Sequence, residues 1–430
     1  MTSLRAVIHS AMVGRNGVVL MVVGLWVSAC DAGPVVENRQ FVFSEDAAKG
    51  TAVAPGDAYS AARGYGFDLA TRPGRNQPFF FSVSAGEGTY RVVITLGASG
   101  AAGDTTVRAE SRQLVVESVR TAPGEFVRRT IFVNVRNSRL APPPRNAPGG
   151  AAVQLNERET GLLRWDDKLT LEFDGPAPAL AAVEIEPAKV PVIYLAGDST
   201  VTDQPAEPGA SWGQMLPRFV SGVAVANHAE SGETMKSFLS ELRLAKILSQ
   251  IGPGDFLFVQ FGHNDEKANW PQTYADAKTV FPAYLRVFIA EARARGATPV
   301  LVTPMQRRLF GPDGQVRNSH GDYPQAVRDV AHAEQVPVID LEHLSRIWLD
   351  ALGPQRSALA FPPGGRDVTH TNDYGGYELA KCVAREIKAI GLPIDVSPEA
   401  ISFDPGHPDA PEMFSLPPSA QHSDLAPRGN

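Results

Sequence analysis

Ser199, Gly232, Asn264, Asp367 and His370 have the residue types and placement that acyl transfer needs. Ser199 stands in VIYLAGDSTVTDQ, where an apolar run ends in Ala196-Gly197-Asp198-Ser199-Thr200. A serine hydroxyl is a poor nucleophile at neutral pH and needs an adjacent base. His370, in GGRDVTHTNDYGG, suits that task because imidazole titrates near neutrality. Asp367 lies three residues earlier, within reach of the far ring nitrogen. A carboxylate there would hold the tautomer and stabilise the imidazolium. The tetrahedral intermediate carries a negative oxygen. The backbone N–H groups of Ser199 and Gly232 (in NHAESGET) and the side-chain amide of Asn264 (in QFGHNDEK) could bind it. Glycine suits its place because the backbone must approach the substrate with no side chain in the way. Plainer readings exist for each: Ser199 and Asn264 as helix caps, His370 as a hydrogen-bonded loop histidine. Asp198 is expected to shape the turn by bonding local amides.

A wider ring of residues falls beside these loops. His228, His263 and Trp212 are candidates for the pocket wall, with packed structural side chains as the alternative. Arg307 and Arg308 follow the fourth apolar run and could pair with a sugar carboxylate, which guanidinium suits. The alternative is an internally paired or solvated arginine. His320 and Tyr323, in SHGDYP, stand in the same class. No cluster has metal-ligand spacing, so no metal is expected, and the chemistry calls for no cofactor.

These residues need a frame. From Val192 onward, short runs apolar throughout alternate with helical stretches. The runs are VIYLA (192–196), VAVA (223–226), FLFVQF (256–261), PVLVT (299–303) and PVID (337–340). Helices are expected near Trp212–Phe219, Thr234–Leu248, Tyr274–Arg295 and Tyr323–Glu334, and a last one after Asn372. Runs apolar on both faces, alternating with helices, predict a doubly wound α/β domain with a parallel sheet covered on both sides. Such sheets carry their sites at the carboxyl ends of the strands, where Ser199, Gly232 and Asn264 fall.

Before this, from Phe41 to about Pro187, FVFSED, FFFSVS, GTYRVVITLG, TTVRAE, RQLVVESV, FVRRTIFVNV and KLTLEF are separated by Gly, Pro, Asn and Asp clusters. They predict a β-sandwich, interrupted by a surface loop, SRLAPPPRNAPGG (138–150). Residues 1–30 read as a targeting segment: Arg5 and Arg15, an apolar run from Gly17 to Val27, then Val27-Ser28-Ala29-Cys30. The ending resembles a bacterial lipoprotein processing site, in which Cys30 becomes the lipidated N-terminus; an ordinary signal peptide is the alternative. Either implies export, to the periplasm, to a membrane by a lipid anchor, or out of the cell. Cys382, the other cysteine, sits on an amphipathic stretch as a small buried hydrophobe. The expected organisation is thus 1–30 signal, 31–187 β-sandwich, 190–392 α/β domain and 393–430 Pro-rich tail. Part of the tail is expected to pack and the last dozen residues to be disordered.

At 430 residues and 43% hydrophobic, the chain is long enough for two cores. A net charge of −7 with no basic block excludes a nucleic-acid partner.

GDST, the glycine of NHAESGET, GHND and DVTH occur in the order of the four blocks of the SGNH (GDSL-like) hydrolases, a family with a flavodoxin-like α/β fold. SWGQMLPRF, FVQFGHNDEK, LVTPMQRRLF, HGDYPQAVRDVA and VPVIDL extend the likeness. Together they resemble the bacterial rhamnogalacturonan acetylesterases over residues 190–392. The earlier region resembles the jelly-roll-like module that precedes some of these enzymes, with RGYGFD (63–68) as its signature. The resemblance implies Ser199 as nucleophile, Gly232 and Asn264 completing the oxyanion hole, and Asp367 and His370 finishing the triad. One departure is Glu233, where the family commonly has arginine after the block-two glycine.

The expected function is therefore removal of acetyl groups from a pectic polysaccharide through an acetyl-serine. Two alternatives stay open: another ester, such as acetylated xylan or a small acyl ester, and a non-catalytic polysaccharide-binding protein.

Overall fold

A computed structural model describes residues 38–43 and 50–421. The targeting segment and Cys30 lie outside them. Among the described residues, the first region forms two five-stranded sheets. One runs in the order Thr51–Ala52, Arg39–Val42, Leu180–Pro187, Gly88–Leu96 and Val127–Val135. The other runs Tyr65–Asp68, Phe79–Ser84, Lys168–Ala177, Gly103–Ala109 and Gln113–Thr121. Pairing is antiparallel except between Arg39–Val42 and Thr51–Ala52. Strand periodicity of two shows in Gly88–Leu96, where Tyr90, Val92, Ile94 and Leu96 enter the core. They meet Phe41, Phe67, Phe79, Phe81 and Phe173 from both sheets. Rings here pack mostly edge to face, as Phe41 on Phe81 and Phe43 on Phe81.

The second region holds a parallel five-stranded sheet in the order Ala224–Asn227, Val192–Gly197, Phe256–Gln260, Thr298–Val302 and Val338–Ile339. Alternate residues feed opposite cores. Ile193, Leu195 and Phe258 join Trp212, Trp348, Leu379 and Cys382 on one face. Tyr194, Ala196, Leu257 and Val259 join Phe238, Phe281, Leu285 and Phe288 on the other. This double burial is why the strands read as continuous apolar runs. The order reverses beside Val192–Gly197, so the crevice of the sheet opens where that strand and Phe256–Gln260 end.

Several helices differ from expectation. The stretch from Thr234 to Leu248 is two helices, Met235–Ser240 and Arg243–Leu248, broken at Leu242 with φ +65°. The break lies where the first region docks: Gln154 N–H donates to the Glu241 carbonyl at 2.9 Å, and Arg243 turns inward to Glu159. The helix expected from Tyr274 begins at Val280. Pro282 sets that start, since proline belongs in a first turn. Trp212–Met215 is a single turn continued as a 3₁₀ turn, Leu216–Arg218. A further helix, Leu341–Arg356, buries Leu341, Leu344, Ser345, Trp348, Leu349 and Leu352 on one stripe. That stripe was not picked out from the sequence.

The tail is more structured than its composition suggests. Asp395–Val396 pairs with Val220–Ser221, and Phe414 packs on Tyr374 and Tyr377. The chain then crosses to the first region. Ser419, expected to be disordered, is buried. Its Oγ donates to Glu172 at 2.7 Å, and its N–H to Glu207 at 2.7 Å.

Buried arginines join the two regions. Arg112 donates to the Gly209 carbonyl at 2.8 Å and to Asp373 at 3.2 Å. Arg136 donates to the Asn227 carbonyl and lies over the Trp165 ring at 5.0 Å. Arg108 pairs with Asp174 and donates to the Pro417 carbonyl at 2.8 Å. Charges this far from water persist only with such partners. A separate loop, 150–166, reaches the carboxyl ends of the parallel strands, where Arg164 donates to the Asp203 carbonyl at 3.0 Å.

Candidate active site

Ser199 lies in the turn that leaves Val192–Gly197. The Asp198 carbonyl accepts from Val201 N–H at 3.1 Å and Thr202 N–H at 3.0 Å. Its Oδ1 accepts from the Thr200 N–H at 3.0 Å and hydroxyl at 2.8 Å. This is the turn-shaping role expected of Asp198. No helix starts here; the next begins at Trp212. The cap reading of Ser199 therefore has no helix to cap.

Its hydroxyl instead meets a base. Ser199 Oγ is 2.8 Å from His370 Nε2. His370 Nδ1 is 2.8 Å from Asp367 Oδ2. Asp367 Oδ1 accepts from the Thr369 and His370 N–H groups, each at 2.9 Å. With Nδ1–H donating to the carboxylate, Nε2 is left to accept from the serine. Burial works to raise the Asp367 pKa. The His370 ring bond, its charge and the two amides outweigh burial and hold the carboxyl below its ordinary value. The loop is fixed at both sides: Thr371 Oγ1 donates to the Ala210 carbonyl at 2.8 Å, and Asn372 caps the Asp373–Ala389 helix.

Gly232 lies after the Ala224–Asn227 strand with φ +85°, a conformation that favours glycine. Among the described residues neither its N–H nor that of Ser199 has a hydrogen-bond partner. Asn264 is buried and donates one amide hydrogen to the Glu233 carbonyl at 3.0 Å. The other hydrogen has no partner among the described residues. The loops are tied together: Glu230 N–H donates to the Gly197 carbonyl at 3.2 Å. Asp265 accepts from Met235 N–H at 3.0 Å and Gly262 N–H at 3.1 Å. Burial pushes the Asp265 carboxyl up to about 7.

The wider ring is largely interior. Trp212 is in the core, its Nε1–H donating to Gln260 at 2.9 Å. His228 is buried between Trp165 and Tyr194, and burial with the nearby charges of Arg136, Lys246 and Arg243 keeps it neutral. His263 lies 3.2 Å from Asp198 and 3.1 Å from the Met305 carbonyl, and burial lowers its pKa to about 4. Aromatic packing holds His228, and buried hydrogen bonds hold Trp212 and His263. Arg307 is turned inward to Glu266 at 2.7 Å and the His263 carbonyl at 3.2 Å. Its partner Glu266 also holds His320 at 3.0 Å. The Arg308 N–H donates to the Val368 carbonyl at 2.7 Å, joining the fourth strand's loop to the loop of Asp367. Tyr323 donates to the Ala275 carbonyl at 2.7 Å. Glu233 is likewise interior, 3.2 Å from Arg243 and accepting from Ser237 at 2.6 Å.

One set was missed from the sequence. Arg158 and Arg164, in NERETGLLRWDD, both pair with Glu230 of the block-two loop. Charges in a loop read as solvated, and only their burial separates them from ordinary surface residues.

The arrangement can deliver a serine oxygen to a carbonyl, accept its proton and hold an oxyanion. Residues 195–376 match the GDSL-like Lipase/Acylhydrolase family. The chain is 40% identical over 216 residues to rhamnogalacturonan acetylesterase RhgT of Bacillus subtilis, covering 47% of this chain and 91% of that one. It is 40% identical over 209 residues to the probable rhamnogalacturonan acetylesterase YesY of the same organism, covering 48% and 96%. A longer match, 27% identical over 362 residues, joins it to the uncharacterized esterase YxiM of that organism, covering 78% and 86%.

Proposed function

We propose, from the premise that this chain belongs to the GDSL-like lipase/acylhydrolase family and is a carboxylic ester hydrolase, that it removes O-acetyl groups from pectic rhamnogalacturonan. The observation that carries the reading is the unbroken run Ser199 Oγ–His370 Nε2 and His370 Nδ1–Asp367 Oδ2, each 2.8 Å.

In the first half-reaction Ser199 Oγ attacks the acetyl carbonyl while His370 Nε2 takes the hydroxyl proton. The oxyanion is held by the Ser199 and Gly232 N–H groups and the Asn264 amide. The C–O bond to the sugar breaks, and the proton on His370 passes to the departing sugar oxygen. In the second half-reaction a water gives its proton to His370 and attacks the acetyl-serine. Acetate leaves and the proton returns to Ser199. Asp367 stays ionised throughout and steadies the imidazolium, which its lowered pKa favours. Names of relatives support the pectic substrate: two of them carry rhamnogalacturonan acetylesterase in their names. In the same reading, residues 1–30 direct export, with lipid attached at Cys30, and the first region serves as an accessory module of jelly-roll type.

The test is acetate release from acetylated rhamnogalacturonan, beside acetylated xylan, by the full chain and its Ser199→Ala variant. Release from the pectic polymer, lost in the variant, is expected. Release from xylan alone would keep the mechanism and overturn the substrate. Release that persists in Ser199→Ala would overturn the mechanism.

A further inference from the structure

We propose that Arg158, supplied by the first region, binds a carboxylate on the sugar side of the ester, beside the oxyanion glycine, and so selects acidic over neutral acetylated sugars. The proposal deepens the functional reading above and rests on it.

Arg158 Nη2 lies 3.7 Å from the place a Cβ on Gly232 would occupy. Among the described residues no other heavy atom comes within 4 Å of that place, apart from the glycine and its chain neighbours. The guanidinium therefore covers the glycine whose N–H faces the reacting carbonyl. Its Nε–H donates to Glu230 at 2.9 Å and its Nη2 to the Ser231 carbonyl. Nη1 has no partner among the described residues. Guanidinium presents five N–H donors in a flat fork, so one edge remains for a planar anion.

Exposure puts that edge within reach of a ligand. Glu230 is shared by two guanidiniums, those of Arg158 and Arg164. Arg164 is 3% exposed and Glu230 2%, whereas Arg158 is 35% exposed. Of the three groups, Arg158 is the one that meets water. Of the arginines expected to do this work, Arg307 is committed to Glu266; Arg308 places its guanidinium beside the Phe361 ring at 5.9 Å and has no ion pair among the described residues.

The position of Arg158 is also preset. Asn156 N–H donates to Glu159 at 2.9 Å, Trp165 Nε1–H to Glu159 at 2.9 Å, and Arg243 grips Glu159 at 2.5 and 3.0 Å. A cation on a clamped turn loses little freedom when a ligand arrives.

Competition tests this without requiring the polymer to be the substrate. The full chain hydrolyses 4-nitrophenyl acetate, an uncharged ester, while unacetylated galacturonate oligomers or neutral xylo-oligomers compete. Wild type should be inhibited by the acidic oligomer and much less by the neutral one. Arg158→Ala should keep its turnover of the aryl ester and weaken the acidic oligomer's inhibition roughly 10- to 100-fold, the range for a charged hydrogen bond. Arg158→Lys, which keeps charge but not the fork, should fall between. Equal inhibition of wild type and Arg158→Ala, no inhibition of wild type, or loss of aryl ester turnover in both variants would each overturn the proposal. Failure of the pectic reading looks different: aryl ester turnover that needs Ser199, with no acetate from rhamnogalacturonan.

Discussion

Arg164 and Glu230 meet in a direct ion pair with side chains 3% and 2% exposed, although 66 residues separate them. Arg164 also donates to Thr202 Oγ1 at 2.6 Å and the Asp203 carbonyl at 3.0 Å. The pair thus fastens the first region directly to the loops leaving the first two parallel strands. Glu230→Ala should cost about 3–5 kcal/mol, because it leaves a guanidinium buried without its anion. The double variant Glu230→Leu with Arg164→Met should cost clearly less. Urea denaturation of the variants gives the comparison, and a single variant as stable as wild type would refute it.

Ser199→Ala and His370→Ala should each lower kcat by about 10⁴ or more, and combining them should add little, since the two act as one unit. Asp367→Asn should fall by about 10⁴, through loss of the tautomer that points Nε2 at the serine. Far-ultraviolet circular dichroism should be unchanged in all of them. Strict additivity of the two single losses would speak against a shared proton path.

Asn264→Ala should lower kcat by about 10²–10³ with little change in KM, the pattern of a donor that binds only the developing charge. Asn264 also ties down the Glu233 carbonyl, so melting temperature is measured beside the kinetics. A large loss of stability with kcat kept would make it a structural tie alone.

Acid should destabilise the fold through His263. Burial holds its pKa near 4, against about 6.5 in an unfolded chain. Between these values the unfolded state binds more protons, so stability falls as pH drops from about 6.5 to 4. His263→Gln removes that proton uptake. Its melting temperature should decline less than that of wild type over this window. Parallel declines would show that His263 is not the source.

Much of the catalytic region was legible because its signals are local. Val192–Gly197 and Phe256–Gln260 are buried on both faces, and that alone writes a parallel sheet into the sequence. Ser199, Asn264 and the Asp367–His370 pair then fall at loop positions that follow from element order. The departures come from contacts between distant segments. Leu242 breaks a helix where Gln154, 87 positions before Glu241, bonds to the Glu241 carbonyl, and helical periodicity carries no trace of that. Arg307 and Arg158 are equally charged in sequence; only packing shows that Glu266 claims one and that the other keeps an open edge. Ser419 sits in a stretch whose proline content reads as loose chain, and its burial depends on Glu172 and Glu207.

That last contact bears on the order in which the chain is made. Ser419 and Glu172 are 247 positions apart, and a ribosome delivers the strand carrying Glu172 long before the tail. Until the tail emerges, Glu172 lacks the hydroxyl and amide that occupy it in the finished protein, and Arg108 lacks the Pro417 carbonyl. A region that precedes the tail by so many positions is thus completed only with it. Its sheets can assemble early, but these contacts wait for the tail.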